Sequence, residues 1–194
     1  MIPLLLMLVR APAMTPIDAE RAFAADAQKI GQWTAFRKWS TDDAIMFVPQ
    51  PANAHQFLKD RKDPPKAIDW WPTASYVSCD GTLAVNTGGW RRPGGSVGSF
   101  ATVWTRRNNH WRWLMDKGDD RATALPRPAK LKIIRASCNG KAVIDIGGFV
   151  DVTLYRSADQ TVFAGWDKDA KSFFMNRWTG RAYRYASSAE IIAR

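Results

Sequence analysis

Thr15-Pro16-Ile17-Asp18 opens the first regular segment with a hydroxyl N-cap, a proline at the first helical position and an acid three residues after the cap. Phe23, Ala27, Ile30 and Thr34 then recur at i, i+4, i+7 and i+11, predicting one stripe of an amphipathic helix. Gly31 interrupts the stripe. A second helical segment follows over residues 32–39, with Trp33, Phe36 and Trp39 apolar, and Asp42-Asp43 read as the turn after it. Residues 45–48 predict a short strand ended by Pro49, and residues 52–61 another helix, closed by Lys62-Asp63-Pro64-Pro65.

From Trp70 the period changes to two. Residues 71–79 and 83–91 read as strands around a tight Asp80-Gly81 turn, and residues 97–106 and 111–115 as a second pair around Asn108-Asn109. If those asparagines form a two-residue turn, Trp104 faces Trp113 and Arg106 faces Trp111 across the hairpin. Helices first and a meander afterwards predict an α+β domain in which a curved antiparallel sheet curls over the helices. Pro126 and Pro128 mark a linker. Beyond it, short apolar runs (131–137, 141–146, 150–155, 161–166, 173–178, 182–185) alternate with turns, predicting a small antiparallel β extension. That extension forms a unit of its own or packs on the first sheet. The division is therefore a leader over 1–13, the α+β domain over 14–120, a linker over 121–130 and the extension over 131–194.

The leader places Met-Ile-Pro-Leu-Leu-Leu-Met-Leu-Val before Arg10 and Ala11-Pro12-Ala13. The run is too short to span a bilayer. It suits the core of a secretory signal with a small-residue cleavage site, giving a periplasmic or secreted protein, although the basic residue follows the run. A cytosolic leader is the alternative. Cys79 and Cys138 sit in matching contexts, Ser-Cys-Asp-Gly and Ser-Cys-Asn-Gly. In an exported protein they suit one disulfide; otherwise they are two buried thiols. Two cysteines and two histidines that do not cluster with them imply no metal site.

The net charge of +10 divides as +3 over residues 1–120 and +7 beyond. The basic residues of the C-terminal part (Lys130, Lys132, Arg135, Lys141, Arg177, Arg181, Arg184) are scattered, which suits solvated strand faces and implies no specific nucleic acid. An acidic partner docking on this part is the alternative. Ten tryptophans suit a small domain with an aromatic core or an aromatic-walled cleft.

Two segments carry a resemblance. Residues 31–44, Gly-Gln-Trp-Thr-Ala-Phe-Arg-Lys-Trp-Ser-Thr-Asp-Asp-Ala, precede the apolar strand and Pro49; residues 103–116, Val-Trp-Thr-Arg-Arg-Asn-Asn-His-Trp-Arg-Trp-Leu-Met-Asp, close the domain. In this order, over about residues 16–120, they resemble the nuclear transport factor 2-like superfamily, nearest to its SnoaL-like bacterial proteins. The resemblance implies a cone-shaped domain with a pocket, and a possible homodimer through the open sheet face. The superfamily hosts isomerases, dehydratases, cyclases and plain binding modules. Ketosteroid isomerase chemistry is disfavoured, because Val48 and Ala24 stand where its base and its tyrosine donor belong.

Trp33, Phe36 and Phe47, with Trp71, Trp90, Trp104 and Trp113 from the sheet, are the candidate pocket wall. Asp116 is the candidate acid, since a carboxyl among aromatics is desolvated and its pKa rises; a structural hydrogen bond is its bland role. No Gly-x-Ser-x-Gly elbow is present, and Gly94-Gly95-Ser96-Val97-Gly98 reads as a hairpin turn, so no cofactor is implied. The leading expectation is an exported protein that binds a small apolar or aromatic molecule without catalysis. One alternative is an acid/base enzyme using Asp116 on an apolar ring-bearing substrate; another is an interaction module.

Overall fold

Thr15 starts helix α1 (Pro16–Ile30) with a reciprocal capping box: its hydroxyl accepts from the Asp18 N–H at 3.2 Å, and the Asp18 carboxylate accepts from the Thr15 N–H. Such a cap is worth about 1 kcal/mol. The computed structural model describes residues 13–145 and 151–187; residues 1–12 of the expected leader lie outside them. Gly31, at φ 103°, turns the chain into α2 (Gln32–Trp39). The N-terminus of α2 is capped from a distance by Asp63, whose Oδ1 accepts from the Trp33 and Thr34 N–H groups at 2.5 and 3.1 Å. A Cβ at position 31 would overlap that carboxylate, so glycine is required both for its backbone angle and for the cap.

After α2 come β1 (Ser40–Phe47), β2 (Pro51–Asn53), α3 (Ala54–Leu58), β3 (Asp69–Val77), β4 (Leu83–Arg91), β5 (Val97–Arg107), β6 (His110–Arg121) and β7 (Lys132–Arg135). These seven strands form one sheet in the order β2-β1-β6-β5-β4-β3-β7. Several expectations need correction here. Asp42 and Asp43 are exposed residues of β1 and not a turn, because α2 passes directly into the strand. The third helix is shorter than residues 52–61. The sheet is not wholly antiparallel: β1 runs parallel to β6, and β7 runs parallel to β3. β7, counted as the start of the extension, is thus the edge strand of the first sheet.

Asn108 and Asn109, at φ 50° and 64°, make the two-residue turn of the β5–β6 hairpin. Trp104 pairs with Trp113 and Arg106 with Trp111. The register then slips by one residue, since Val103 pairs with Met115, and Leu114 is the bulged residue. Trp111 and Trp113 consequently face the helices, Leu114 and Met115 face the other way, and Asp116 returns to the helix side.

The remaining strands, β8 (Val152–Arg156), β9 (Val162–Asp167), β10 (Ser172–Trp178) and β11 (Tyr183–Ser187), form a second, antiparallel sheet. Of the expected strand over 141–146, residues 141–145 have no regular structure and residue 146 lies outside the described residues. The second sheet packs on the first: Val162, Ala164, Trp166, Phe173 and Met175 join Tyr76, Val85, Val103 and Met115 in a shared core. That surface is the open face on which the homodimer expectation rested, and the chain's own second sheet covers it.

Two hairpin turns clasp the sheets together. Ser78-Cys79-Asp80-Gly81-Thr82 and Ser157-Ala158-Asp159-Gln160-Thr161 have the same internal bonding, with an aspartate Oδ1 accepting from a serine and a threonine hydroxyl. They exchange reciprocal bonds: the Asp80 N–H donates to Asp159 at 2.8 Å and the Asp159 N–H to Asp80 at 2.9 Å. Beside this clasp, Cys79 and Cys138 are joined in a disulfide spanning 59 positions. Closing a loop of that length is worth about 4 kcal/mol in the chain-entropy model. The double change Cys79→Ser, Cys138→Ser should therefore lower unfolding free energy by about that amount in denaturant titration. Thiol titration of denatured, unreduced protein should find no free thiol; two per chain would contradict the bond.

Candidate functional site

The inner face of the first sheet and helices α1 and α2 enclose a cavity of about 190 Å³. Of the residues anticipated for its wall, Trp33, Phe36, Phe47, Trp90 and Asp116 line it. Phe23, Met46, Val48, Ile68, Trp70 and Phe100 complete the apolar lining. Gln32, Arg92 and Gly118 add the rest.

Three anticipated residues lie elsewhere. Trp71 points to the opposite side of β3, where its indole donates to Pro126 O and the Arg127 guanidinium stacks on it at 4.0 Å. The cause is strand alternation: Trp70 pairs with Trp90, so Trp70 is the inward neighbour. Trp104 and Trp113 are fully buried behind the wall, where Phe23 packs against both. Trp90 keeps its place because Gly98 leaves room; a Cβ there would overlap the indole, whose N–H donates to Ser99 O.

Asp116 reaches this site through the Leu114 bulge. Its Oδ2 accepts from the Thr102 hydroxyl at 2.8 Å, directly across the hairpin. Desolvation by the surrounding protein raises its pKa to about 6, although the Thr102 bond opposes the rise.

A second carboxyl stands behind it. Glu20 of α1 is completely buried. Trp70 Nε1 donates to its Oε1 at 3.0 Å, while Trp104 Nε1 and Asn86 Nδ2 donate to Oε2 at 2.7 and 3.2 Å. Burial and then the charge of Asp116 raise its pKa to about 7, against the lowering effect of the three N–H donors. Sequence reading passed over Glu20, yet a signal was present: it lies three residues before Phe23, on the apolar stripe of an amphipathic helix. A carboxyl on that stripe has to enter the core.

Among the described residues no group of three or more His, Cys, Asp or Glu side chains could hold a metal ion, and no helix is long and apolar enough to cross a membrane. Chemically, the cavity offers aromatic surface, one carboxyl acceptor on its wall and a guanidinium at its mouth.

The chain is similar in structure to nuclear transport factor 2-like proteins. A protein of this type from Shewanella oneidensis, of unknown function, is 15% identical; the match covers 54% of this chain and 98% of that one, with a TM-score of 0.44. A nuclear transport factor 2-like protein from Cytophaga hutchinsonii is 10% identical over 54% of this chain and 93% of its own, with a TM-score of 0.41. A protein of Novosphingobium aromaticivorans provisionally named an aromatic ring hydroxylase is 15% identical over 56% and 87%, with a TM-score of 0.40. No protein-family model matches the chain, and no curated protein matches its sequence.

Both raised carboxyls bind protons more readily in the folded protein than in the unfolded chain. Their contribution is therefore fully present below the ordinary carboxylate range and is lost as pH rises through about 6 for Asp116 and about 7 for Glu20. Asp26, Asp63 and Asp159 are lowered instead, because hydrogen bonds outweigh their desolvation, and their contribution is lost only at lower pH. A tenfold change in a group's proton affinity on folding corresponds to about 1.4 kcal/mol. Between pH 5 and 8 the unfolding free energy should accordingly drop by about 2–3 kcal/mol through Glu20, measured by chemical denaturation. Asp116→Asn should make that slope shallower, since it removes one titrating group and the charge that helps raise Glu20.

Proposed function

We propose that this protein binds a small, flat, apolar molecule in the cavity between its helices and first sheet, without transforming it, in an oxidising compartment outside the cytoplasm. The observation that carries this reading is the wall itself: Phe23, Trp33, Phe36, Trp70, Trp90 and Phe100 converge on one space with a single carboxyl among them. Aromatic lining with few convergent polar groups is what an apolar ring compound requires. The volume of about 190 Å³ suits one ring with a short substituent, given that an apolar cavity of about 150 Å³ holds benzene. Binding without chemistry is supported by the polar inventory. The Gln32 carbonyl already accepts from the Ile68 N–H, and Arg92 stacks on Trp90 at the mouth. That leaves Asp116 without a partner nucleophile or a set of oxyanion donors. The disulfide supports an oxidising compartment.

A second reading rests on the two carboxyls. Groups titrating at about 6 and about 7 are placed for proton transfer near neutral pH, Asp116 as the acid or base on the cavity wall and Glu20 behind it. Under this reading a ring-bearing substrate would be dehydrated, cyclised or isomerised.

Titration with a hydrophobic one-ring compound should quench tryptophan fluorescence saturably. Trp33→Ala should weaken that binding by about tenfold, the loss of roughly one well-packed aromatic contact, while leaving the fold intact because Trp33 is only half-buried. Absence of any saturable quenching would count against the pocket. Enzyme-like turnover that drops by about 10²–10⁴ in Asp116→Asn would replace the binding reading with the acid/base one.

A further inference from the structure

The cavity interior is acidic although the protein as a whole is strongly basic. Asp116 lines it from β6 and Glu20 of α1 stands behind that wall, and neither carboxyl forms an ion pair among the described residues. The cations nearby are engaged elsewhere. Arg92, at the mouth, lies over the Trp90 ring at 4.5 Å and 3.4 Å from Asp120. Lys117 sits on the opposite face of β6, over Trp166. From α2 and β1 the cavity receives Trp33, Phe36, Met46 and Phe47, none of them ionisable.

The two carboxyls are also satisfied unequally. Glu20 takes three N–H donors over its two oxygens. Asp116 takes one hydroxyl, on Oδ2. Its Oδ1 accepts no hydrogen bond from the described residues, and Asp116 is the carboxyl that lines the cavity. A desolvated carboxylate with an unfilled acceptor position favours a donor, and a positively charged donor most of all. The surrounding indole and phenyl faces attract cations for an independent reason, the negative face of the ring quadrupole.

We propose that the occupant of this cavity is an organic cation: a compound of one aromatic or alicyclic ring bearing a protonated amine, its ammonium on the Asp116 carboxylate and its ring among Trp33, Phe36, Trp70 and Trp90. This rests on the reading of the cavity as a ring-binding pocket and adds the charge of the ligand. An anionic ring compound meets the Asp116 carboxylate, with Glu20 behind it, and is repelled. A neutral one offers the Asp116 carboxylate at most an uncharged donor, which compensates its desolvation less than an ammonium does.

The experiment is isothermal titration calorimetry of the full chain at pH 7.5 with three probes that share a phenylethyl frame: 2-phenylethylammonium, 2-phenylethanol and 3-phenylpropanoate. The ammonium should bind at least about tenfold tighter than the alcohol, a difference of about 1.4 kcal/mol, with the carboxylate weakest. At pH 5, where Asp116 and Glu20 are protonated, the advantage of the ammonium should vanish while the alcohol binds as before. Asp116→Asn should remove the same advantage at pH 7.5, and the wild-type series decides alone should that variant not fold. If the alcohol or the carboxylate binds as tightly as the ammonium, the charge assignment is overturned and the ring pocket stands. Binding of none of the three overturns both.

Discussion

One carboxyl holds the helical layer to the sheet. Glu20 projects from α1 and collects N–H groups from Trp70 on β3, Asn86 on β4 and Trp104 on β5, so three adjacent strands converge on a single side chain of the helix. A buried carboxyl is costly unless its oxygens are filled, and here the donors come mostly from indoles. That choice couples two requirements. The large rings exclude water from the core, and their N–H edges satisfy the group that water would otherwise solvate. Trp70 serves both sides of the arrangement, bonding Glu20 at its N–H and presenting its ring to the cavity.

The cavity follows from how the sheet's strands alternate around this anchor. Trp70 and Trp90 are paired neighbours on the inner face, and glycine at position 98 lets the second of them lie flat. The bulge at Leu114 resets the phase of β6, so that two outward residues follow Trp113 and Asp116 faces inward. Were the ladder regular over these same residues, with no bulge, Asp116 would stand on the outer face, against the second sheet. The acid of the site is thus placed by an irregularity of the ladder, a common device beside functional pockets.

The second sheet gives the outer face of the first an apolar partner within the same chain. It is tied by matched turns whose aspartates bond each other's backbone, and by the disulfide next to them. It also reaches the site indirectly, because Phe47, a cavity residue, packs against Trp166 at 4.5 Å between ring centres. The C-terminal strands therefore buttress one wall of the pocket.

Much of the local structure was legible in the residues. The Thr15–Asp18 capping box, the break at Gly31, the Asn108-Asn109 turn and the pairing of Trp104 with Trp113 depend on near neighbours, whose preferences act over a few residues. Aromatic and acidic candidates such as Trp33, Phe36, Phe47, Trp90 and Asp116 could be named from the helical stripe and strand positions. What tertiary structure alone decided were matters of phase and partner. Whether Trp70 or Trp71 faces inward depends on the register with Trp90 on another strand. Whether Asp116 faces inward depends on one bulged residue that leaves no mark in the periodicity. The fate of Glu20 depends on donors 50, 66 and 84 positions away. Parallel pairing of β7 with β3 and docking of the second sheet are likewise settled by buried area and bonds between distant segments, and such long-range terms leave only faint traces in the order of residues.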